Sequence, residues 1–198
     1  MKVAVVDSGI HAGHSHVGGI AGGVAIVGDD VIDRVGHGTA VAAAIREKAP
    51  DAELYAVKIF DRKLATDVIT LVRAIHWCAA NGIQLINLSL GTTDLDNGPM
   101  LQLAVDEALA DGTKIVSAYE HEGVRWLPGS LRGVIPVLLD WDCPREECRV
   151  DVLENGRQVY RASGYPRPIP GVPPEQNLKG ISFAVANVTG CLSSMRMM

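Results

Sequence analysis

The chain has 198 residues and a formal net charge of −5, so its composition excludes a strongly basic nucleic-acid-binding protein. Apolar residues make up 47% of the sequence, as is typical of a globular α/β protein with one domain. No apolar stretch predicts a membrane span, and Met1 precedes a candidate buried strand rather than a secretion signal. We therefore expect a cytoplasmic protein that binds neither nucleic acid nor membrane.

Short apolar runs alternate with helical patterns up to residue 139. The predicted strands are Val3–Val6, Val24–Val27, Leu54–Ile59, Gln84–Leu88, Lys114–Ala118 and Val134–Leu139. The predicted helices are Thr39–Lys48, Asp67–Ala80, Pro99–Ala110 and Phe183–Met195. Most of these strands are rich in Val, Ile and Leu without strict alternation, which indicates strands covered on both faces. The order predicts an α/β fold, with a three-layer parallel sheet and helices on both faces.

The pattern changes after residue 140. The segments Arg149–Leu153 and Gln158–Ala162 are typical of a β-hairpin, and the proline-rich stretch Tyr165–Pro174 excludes regular helix or central strand. We interpret residues 141–179 as a variable excursion from the sheet, within a single domain of residues 1–198.

The four cysteines are compatible with either redox compartment. Cys78 and Cys191 lie in apolar helical runs and are predicted to be buried core thiols. Cys143 and Cys148 bracket a short polar loop, where they could form a disulfide or half of a metal site. In a cytoplasmic protein, two free loop thiols are the favoured interpretation.

Three polar residues occupy positions suited to catalysis. Asp7 ends the first strand, where it could equally cap a turn or bind a phosphate or a metal. His37 lies between two glycines at a helix start, where it could also simply face solvent. Ser182 follows a glycine turn at a helix N-terminus, where unpaired N–H groups favour negative charge, although such a serine is also an ordinary cap.

Taken together, the three motifs are more specific. Asp7–Ile10, Gly36–Thr39 and Gly180–Ala184 occur in the order Asp, His, Ser, and the sequence resembles the subtilisin-like serine proteases. The resemblance covers residues 1–124 and 176–195. It implies a subtilisin-like fold and a peptide or protein substrate.

The resemblance also implies catalytic roles. Ser182 would attack a peptide carbonyl, and His37 would take the hydroxyl proton and pass it to the leaving amine. Asp7 would hold the imidazole in the right tautomer. The substrate-binding residues implied by the resemblance are Ser89, Leu90, Gly91, Ala118, Tyr119 and Glu120.

The oxyanion loop departs from the family pattern. His121 stands where the family has an Asn, so we expect its imidazole N–H, together with Ser182, to form the oxyanion hole. The alternative is that His121 points away and the site is crippled. Glu120 and Glu122 would favour a basic residue before the cut bond, unless Tyr119 and Glu120 fill the pocket.

Other family features are also missing from the sequence. The chain begins at the Asp strand, so we expect no pro-domain, and it ends just after the Ser helix, so we expect no further C-terminal helices. His16 stands where a calcium-ligating Asp is frequent, and calcium prefers oxygen ligands. We expect no metal and no cofactor, with His11, His14 and His16 forming a loop cluster without zinc.

The predicted function is a serine endopeptidase for a specific intracellular processing or leader-peptide cleavage. Without a pro-domain, its activity would be limited by a narrow pocket, a partner subunit or a recognised leader; a homo-oligomer is also compatible. The alternative is a catalytically inactive subtilase-fold protein that binds peptides as a scaffold. The intact Asp7, His37 and Ser182 favour the enzyme.

Overall fold

The computed structural model describes residues 1–194. Over these residues the strands are β1 (Lys2–Asp7), β2 (Gly22–Ala25), β3 (Glu53–Lys58), β4 (Leu85–Leu88), β5 (Lys114–Ala118), β6 (Glu120–His121), β7 (Val124–Arg125), β8 (Ile135–Leu139), β9 (Cys148–Val152) and β10 (Gln158–Ala162). The α-helices are α1 (His37–Lys48), α2 (Val68–Ala80), α3 (Gly98–Ala110) and α4 (Ile181–Ser194). Short 3-10 turns cover Leu95–Asn97 and Pro174–Gln176.

Eight of these strands form one sheet in the order β2-β3-β1-β4-β5-β8-β10-β9. All neighbouring pairs are parallel except β10 and β9, which are antiparallel. The remaining two strands, β6 and β7, form a small separate hairpin. The sheet confirms the predicted α/β fold class.

Helices cover both faces of the sheet, and each face has its own apolar core. Side chains alternate along β1, so that Val3 and Val5 pack in the core with α1 and α4. Ala4 and Val6 point to the other face and pack in the core with α2 and α3. This two-sided burial explains why the strand sequences lack a polar face.

The predicted elements up to residue 139 are all present, and so is the final helix, with ends that differ by at most two residues. Asp67, for example, is the cap of α2 rather than its first residue, because its carboxylate accepts from the Thr70 N–H at 2.8 Å. The predicted last residue of α4, Met195, lies outside the described residues. No helix within residues 1–194 is long and apolar enough to cross a membrane.

The hairpin after residue 140 corrects one expectation. It forms as predicted, but it is not an excursion from the sheet, because β10 pairs in parallel with β8 and β9 then becomes the sheet's outer strand. Val159 and Ala162 of β10 are buried. One side of this hairpin remains exposed, so its strands are more polar than the central ones. Their sequences therefore did not indicate that they join the sheet.

The cysteine pairing corrects a second expectation. Cys191 is not a free core thiol: it forms a disulfide with Cys148, across a sequence separation of 43 residues. Cys143 and Cys78 are free and buried, so Cys143 and Cys148 neither pair with each other nor remain two free thiols. The reason is topological, since β9 lies beside α4 and this brings together two cysteines that are remote in sequence.

Candidate active site

The carboxyl end of the central strand β1 bears a fully buried carboxylate, Asp7. Its side chain is 0% exposed, and the strand is flanked on both sides by β3 and β4. The backbone carbonyl of Asp7 accepts from the Ile59 N–H at 2.8 Å, and its Oδ1 accepts from the Ser8 N–H at 2.7 Å. A carboxylate removed from water interacts strongly with a donor or cation beside it.

His37 is the first residue of α1 and lies directly against Asp7. Its Nδ1 is 2.8 Å from Oδ1 and 2.9 Å from Oδ2 of the carboxylate. The next residue has to be small, because a Cβ at Gly38 would lie 2.2 Å from the carbonyl oxygen of Gly9. Gly38 therefore lets the first turn of α1 approach the end of β1 closely enough for the two side chains to meet.

A second carboxylate, Asp33, fixes the first turn of α1 from the preceding loop. Its Oδ2 accepts from the Thr39 N–H at 2.9 Å and from the Thr39 hydroxyl at 2.6 Å. Its Oδ1 accepts from the N–H groups of Val35 and Gly36 and from the hydroxyl of Ser8. Asp33 is not among the site residues predicted from the sequence, although an Asp shortly before a helix start is a typical capping signal.

The charges around His37 stabilise its protonated form. Burial would lower the pKa of His37, but the hydrogen bond to Asp7, the charge of Asp7 and the charge of Asp33 outweigh burial and raise the pKa above its ordinary value. Burial would raise the pKa of Asp33, whereas hydrogen bonds from Thr39 and from backbone N–H groups hold it below its usual range. If His37 takes up a proton during a reaction, its surroundings stabilise the resulting imidazolium.

Ser182 lies in the first turn of α4, which begins at Ile181. Its hydroxyl donates to the carbonyl oxygen of Ser89 at 3.1 Å. Within residues 1–194 this hydroxyl makes no hydrogen bond to His37, whose ring lies 5.7 Å from the ring of Phe183. The first N–H groups of a helix lack intrahelical acceptors, so the hydroxyl lies beside a partial positive charge.

A cavity of about 210 Å³ has both His37 and Ser182 in its wall. The rest of the wall is mostly apolar and consists of Phe60, Leu64, Ser89, Leu90, Gly91, Ala118, Trp126, Ile181 and Val185. A second cavity of about 300 Å³ shares Phe60, Leu64, Leu90 and Gly91 and extends towards the start of α2. We call the two cavities together the cleft.

Four predicted substrate-binding residues, Ser89, Leu90, Gly91 and Ala118, line the cleft. Trp126, which was not predicted from the sequence, also lines the cleft. A Cβ at Gly91 would lie 2.8 Å from the Trp126 ring, so only glycine fits at this position without a shift. No sequence signal pointed to Trp126, because its contact with Gly91 depends on tertiary folding.

An isolated antiparallel bridge holds the Trp126 segment beside the end of β4. The Thr92 N–H donates to the Leu127 carbonyl at 2.9 Å, and the Leu127 N–H donates to the Thr92 carbonyl at 2.8 Å. This pair of hydrogen bonds holds Trp126, which precedes Leu127, beside Gly91, which precedes Thr92.

Tyr119 and Glu120, the other two predicted substrate-binding residues, are not among the residues that line the cleft. Tyr119 is 4% exposed, and the guanidinium groups of Arg125 and Arg157 lie 5.6 Å and 5.2 Å from the centre of its ring. Glu120 begins the β6–β7 hairpin and is paired in register with Arg125. Tyr119 therefore packs at the base of this hairpin.

His121, the predicted oxyanion donor, lies on the same hairpin. Its ring centre is 6.4 Å from that of Trp126, and its Nε2 is 3.9 Å from the carboxylate of Glu122. Glu122 and Gly123 have φ angles of 53° and 79°, as the tight turn between β6 and β7 requires. His121 therefore contacts the wall of the cleft through Trp126 and is not itself part of the described lining.

The profile of the Subtilase family matches residues 1–119, which is more than half of the chain. The chain belongs to the subtilase family. The match includes Asp7 and His37 with the strands and helix that position them. It ends before Ser182 and before the hairpin that carries His121.

Curated subtilases align with part of this chain. The minor extracellular protease Epr of Bacillus subtilis is 37% identical over 134 residues, which is 62% of this chain and 20% of the relative. The thermostable alkaline protease of Halalkalibacterium halodurans is 35% identical over 149 residues, which is 69% of this chain and 40% of the relative. The chain thus matches less than half the length of these relatives.

A solved subtilase structure covers nearly the whole chain. The prenylagaramide maturation protease PagA superposes with a TM-score of 0.71 at 25% identity, over 96% of this chain and 73% of its own. The similarity therefore extends past residue 119 and includes the region of Ser182.

The loop of three histidines in this subtilase lies apart from the cleft. The ring centres of His11 and His14 are 6.5 Å apart, and those of His14 and His16 are 5.2 Å apart. Within the described part of the chain, no three metal-ligating side chains converge on one point. The expected absence of a bound metal stays a prediction.

Proposed function

We propose that this subtilase is a serine endopeptidase that hydrolyses peptide bonds with Asp7, His37 and Ser182. The observation that carries the proposal is the buried contact of His37 Nδ1 with both oxygens of Asp7, in a cleft that also contains Ser182. Acyl transfer through a serine ester requires such an acid, base and hydroxyl in one cleft.

The reaction follows from these contacts. The Nδ1–H of His37 donates to Asp7, which leaves the lone pair of the neutral ring on Nε2. As the Ser182 hydroxyl turns from the Ser89 carbonyl and attacks the substrate carbon, its proton passes to Nε2. The imidazolium then protonates the leaving amine as the C–N bond breaks. Water, deprotonated by the same base, hydrolyses the ester and restores the serine.

We propose Ser182 N–H and the imidazole of His121 as the oxyanion donors. The first of these lies in the opening turn of α4, where helix N–H groups lack intrahelical acceptors and favour an anion. Support for the second is its contact with Trp126, which lines the cleft. A movement of the β6–β7 hairpin on substrate binding would bring the imidazole to the reacting oxygen.

The lining of the cleft supports a preference for an apolar residue before the cleaved bond. Phe60, Leu90 and Trp126 contribute apolar surface there, whereas Glu120 and Glu122 are absent from its described wall. A peptide library should therefore show enrichment of apolar residues at that position. Enrichment of Lys or Arg would instead restore the basic specificity considered from the sequence.

We propose a processing role, in which the enzyme cuts a particular peptide or precursor. The similarity to PagA, a maturation protease by name, supports this role. We also propose a cytoplasmic location, where the Cys148–Cys191 disulfide would be reduced, because disulfides persist mainly in oxidising compartments. Alkylation of free thiols in intact cells, followed by mass spectrometry, should find both cysteines reduced if the location is correct.

A fluorophosphonate probe tests the catalytic proposal directly. We expect a covalent adduct on Ser182 that is lost in Ser182→Ala and in His37→Ala. The matched control is Ser193→Ala in the same helix, which should label like the unmodified chain. A folded protein without an adduct would favour the scaffold alternative, which the hydrogen bond from Ser182 to the Ser89 carbonyl supports.

A further inference from the structure

Strand β9 is the outer edge of the eight-stranded sheet, and within residues 1–194 no strand pairs with its outer side. It contains five residues, Cys148–Val152, and includes neither proline nor lysine. Natural proteins usually protect such an edge with charged side chains, proline, a bulge or a covering element, because its free N–H and C=O groups can pair with another strand. The two charged residues of β9, Arg149 and Asp151, have opposite signs, so they leave the edge open to a strand of complementary charge.

The hydrogen bonds of the hairpin show which groups face outward. The Leu153 N–H donates to the Arg157 carbonyl at 2.9 Å, so the alternation of antiparallel pairing directs the backbone groups of Arg149 and Asp151 towards β10. The backbone groups of Cys148, Val150 and Val152 therefore face away from the sheet. The Val152 N–H accordingly donates to the carboxylate of Asp151, at 2.8 Å, rather than to a strand.

The side chains of β9 form two different faces. Val150 and Val152 are 55% and 59% exposed and share a face with Cys148, whose disulfide reaches α4. Arg149 and Asp151 lie on the opposite face and carry opposite charges. Exposed valines on a strand edge are typical of a surface that another element covers.

We infer that β9 pairs antiparallel with β9 of a second copy of this chain, around a two-fold axis at Val150. In this register Val150 lies opposite its own counterpart, and Cys148 lies opposite Val152 of the other copy. All three outward-facing residues then form backbone hydrogen bonds. The same register places Arg149 of each copy opposite Asp151 of the other, and the symmetry supplies this charge pair twice.

The charges therefore select the register that also gives the most backbone pairing. Shifting one strand by two residues would place Asp151 opposite Asp151, or Arg149 opposite Arg149, and would leave two rather than three outward-facing residues of each β9 paired. In the monomer, Asp151 is paired with Arg161 at 2.9 Å and Arg149 with Glu147 at 3.1 Å. These contacts are exposed, so rearranging them costs little.

The interface formed by two short strands is small. We expect a reversible homodimer with a Kd on the order of 100 μM, because such contacts lie at the low end of specific interfaces. The pairing does not depend on the proposed peptidase activity, so either proposal can fail without the other.

Analytical ultracentrifugation of the 198-residue chain across its Kd tests the pairing. Arg149→Asp and Asp151→Arg should each weaken self-association by about tenfold or more, since each places like charges opposite each other twice. A mixture of the two variants should associate again, because every charge then has a partner of opposite sign. The aspartate introduced at position 149 of one chain lies opposite the arginine introduced at position 151 of the other, and the native Asp151 lies opposite the native Arg149. Arg73→Asp and Asp51→Arg, which make the same charge changes at exposed positions on other elements, are the matched controls.

The mixture also excludes misfolding as the cause, since misfolded variants would not recover when combined. A chain that stays monomeric at about 1 mM, well above the Kd expected for so small an interface, overturns the inference. So does a dimer that neither substitution weakens, or a mixture that remains monomeric while both variants are folded by circular dichroism.

Discussion

The two sides of the cleft differ in how firmly the polar groups in or behind them are held. On the β1 side, Asp7, His37 and Asp33 belong to one hydrogen-bonded cluster that includes the first turn of α1. On the other side, His121 lies on a two-stranded hairpin, and within residues 1–194 its imidazole has a ring contact with Trp126 and a 3.9 Å ionic contact with Glu122 but no side-chain hydrogen bond. The proposed acid–base pair is thus preorganised, whereas the proposed oxyanion donor is not.

This difference separates proton transfer, proposed for Asp7 and His37, from oxyanion stabilisation, proposed for His121; the two usually act together. Preorganised donors are effective because they need no rearrangement when charge develops. A donor that has to move into place makes turnover depend on substrate binding. If His121 is such a donor, a well-fitting substrate completes the site, which is compatible with the proposed processing role.

The largest effect should come from the β1 side. Asp7→Asn should lower kcat by about 10⁴-fold, because the His37 ring loses its orienting carboxylate. Activity requires neutral His37, whose pKa is raised, so kcat/KM should rise with pH through a value above the ordinary one for histidine. In Asp7→Asn, which lacks the carboxylate charge, this rise of kcat/KM should occur at lower pH. If the pH–rate profiles of the two proteins rise at the same pH, a group other than His37 controls the rise.

On the hairpin side, behind Trp126, His121→Ala should lower kcat by about 100- to 1000-fold, the usual cost of deleting one oxyanion donor. His121→Asn, which keeps an N–H donor, should recover much of the loss. Steady-state kinetics on one peptide substrate would measure both variants. Equal activity of all three proteins would limit His121 to packing against Trp126.

Reduction of the Cys148–Cys191 disulfide should affect stability rather than chemistry. The cross-link closes a loop with a sequence separation of 43 residues, so its loss should lower the free energy of unfolding by roughly 2–4 kcal/mol. Denaturant unfolding with and without a thiol reductant gives this difference. Cys148→Ser should reproduce it, and Cys143→Ala, at a free thiol, should respond to the reductant like the unmodified chain. A fall in activity well below the melting temperature would instead link the disulfide to Ser182.

The smallest effect should come from Asp33. Asp33→Asn should cost about 1–2 kcal/mol of stability, because the first turn of α1 loses a charged cap. Since the folded pKa of Asp33 is depressed, its contribution is present above the ordinary pKa of an aspartate and is lost as pH falls through the lower folded value. Thermal melts of both proteins should therefore converge at acidic pH. A constant difference would exclude the ionised carboxylate as the cause.

The sequence patterns predicted the centre of the sheet well and its β9 edge poorly. Strands such as β1 and β4 are buried on both faces, so burial alone makes their sequences apolar. Strand β9 is exposed on its edge and carries Arg149 and Asp151, so nothing local distinguishes it from a detached hairpin. The disulfide could not be predicted from local sequence either, because it joins two residues that only tertiary packing brings together.

The sequence by itself determined the fold class, the family resemblance and the three residues proposed for catalysis. These depend on local chemistry: apolar strands, helix starts and short motifs in a fixed order. Only the tertiary structure decided which groups meet: Asp33 with the α1 turn, Trp126 with Gly91, and Cys148 with Cys191. Long-range contacts depend on how elements pack, and no single segment of the chain encodes that packing.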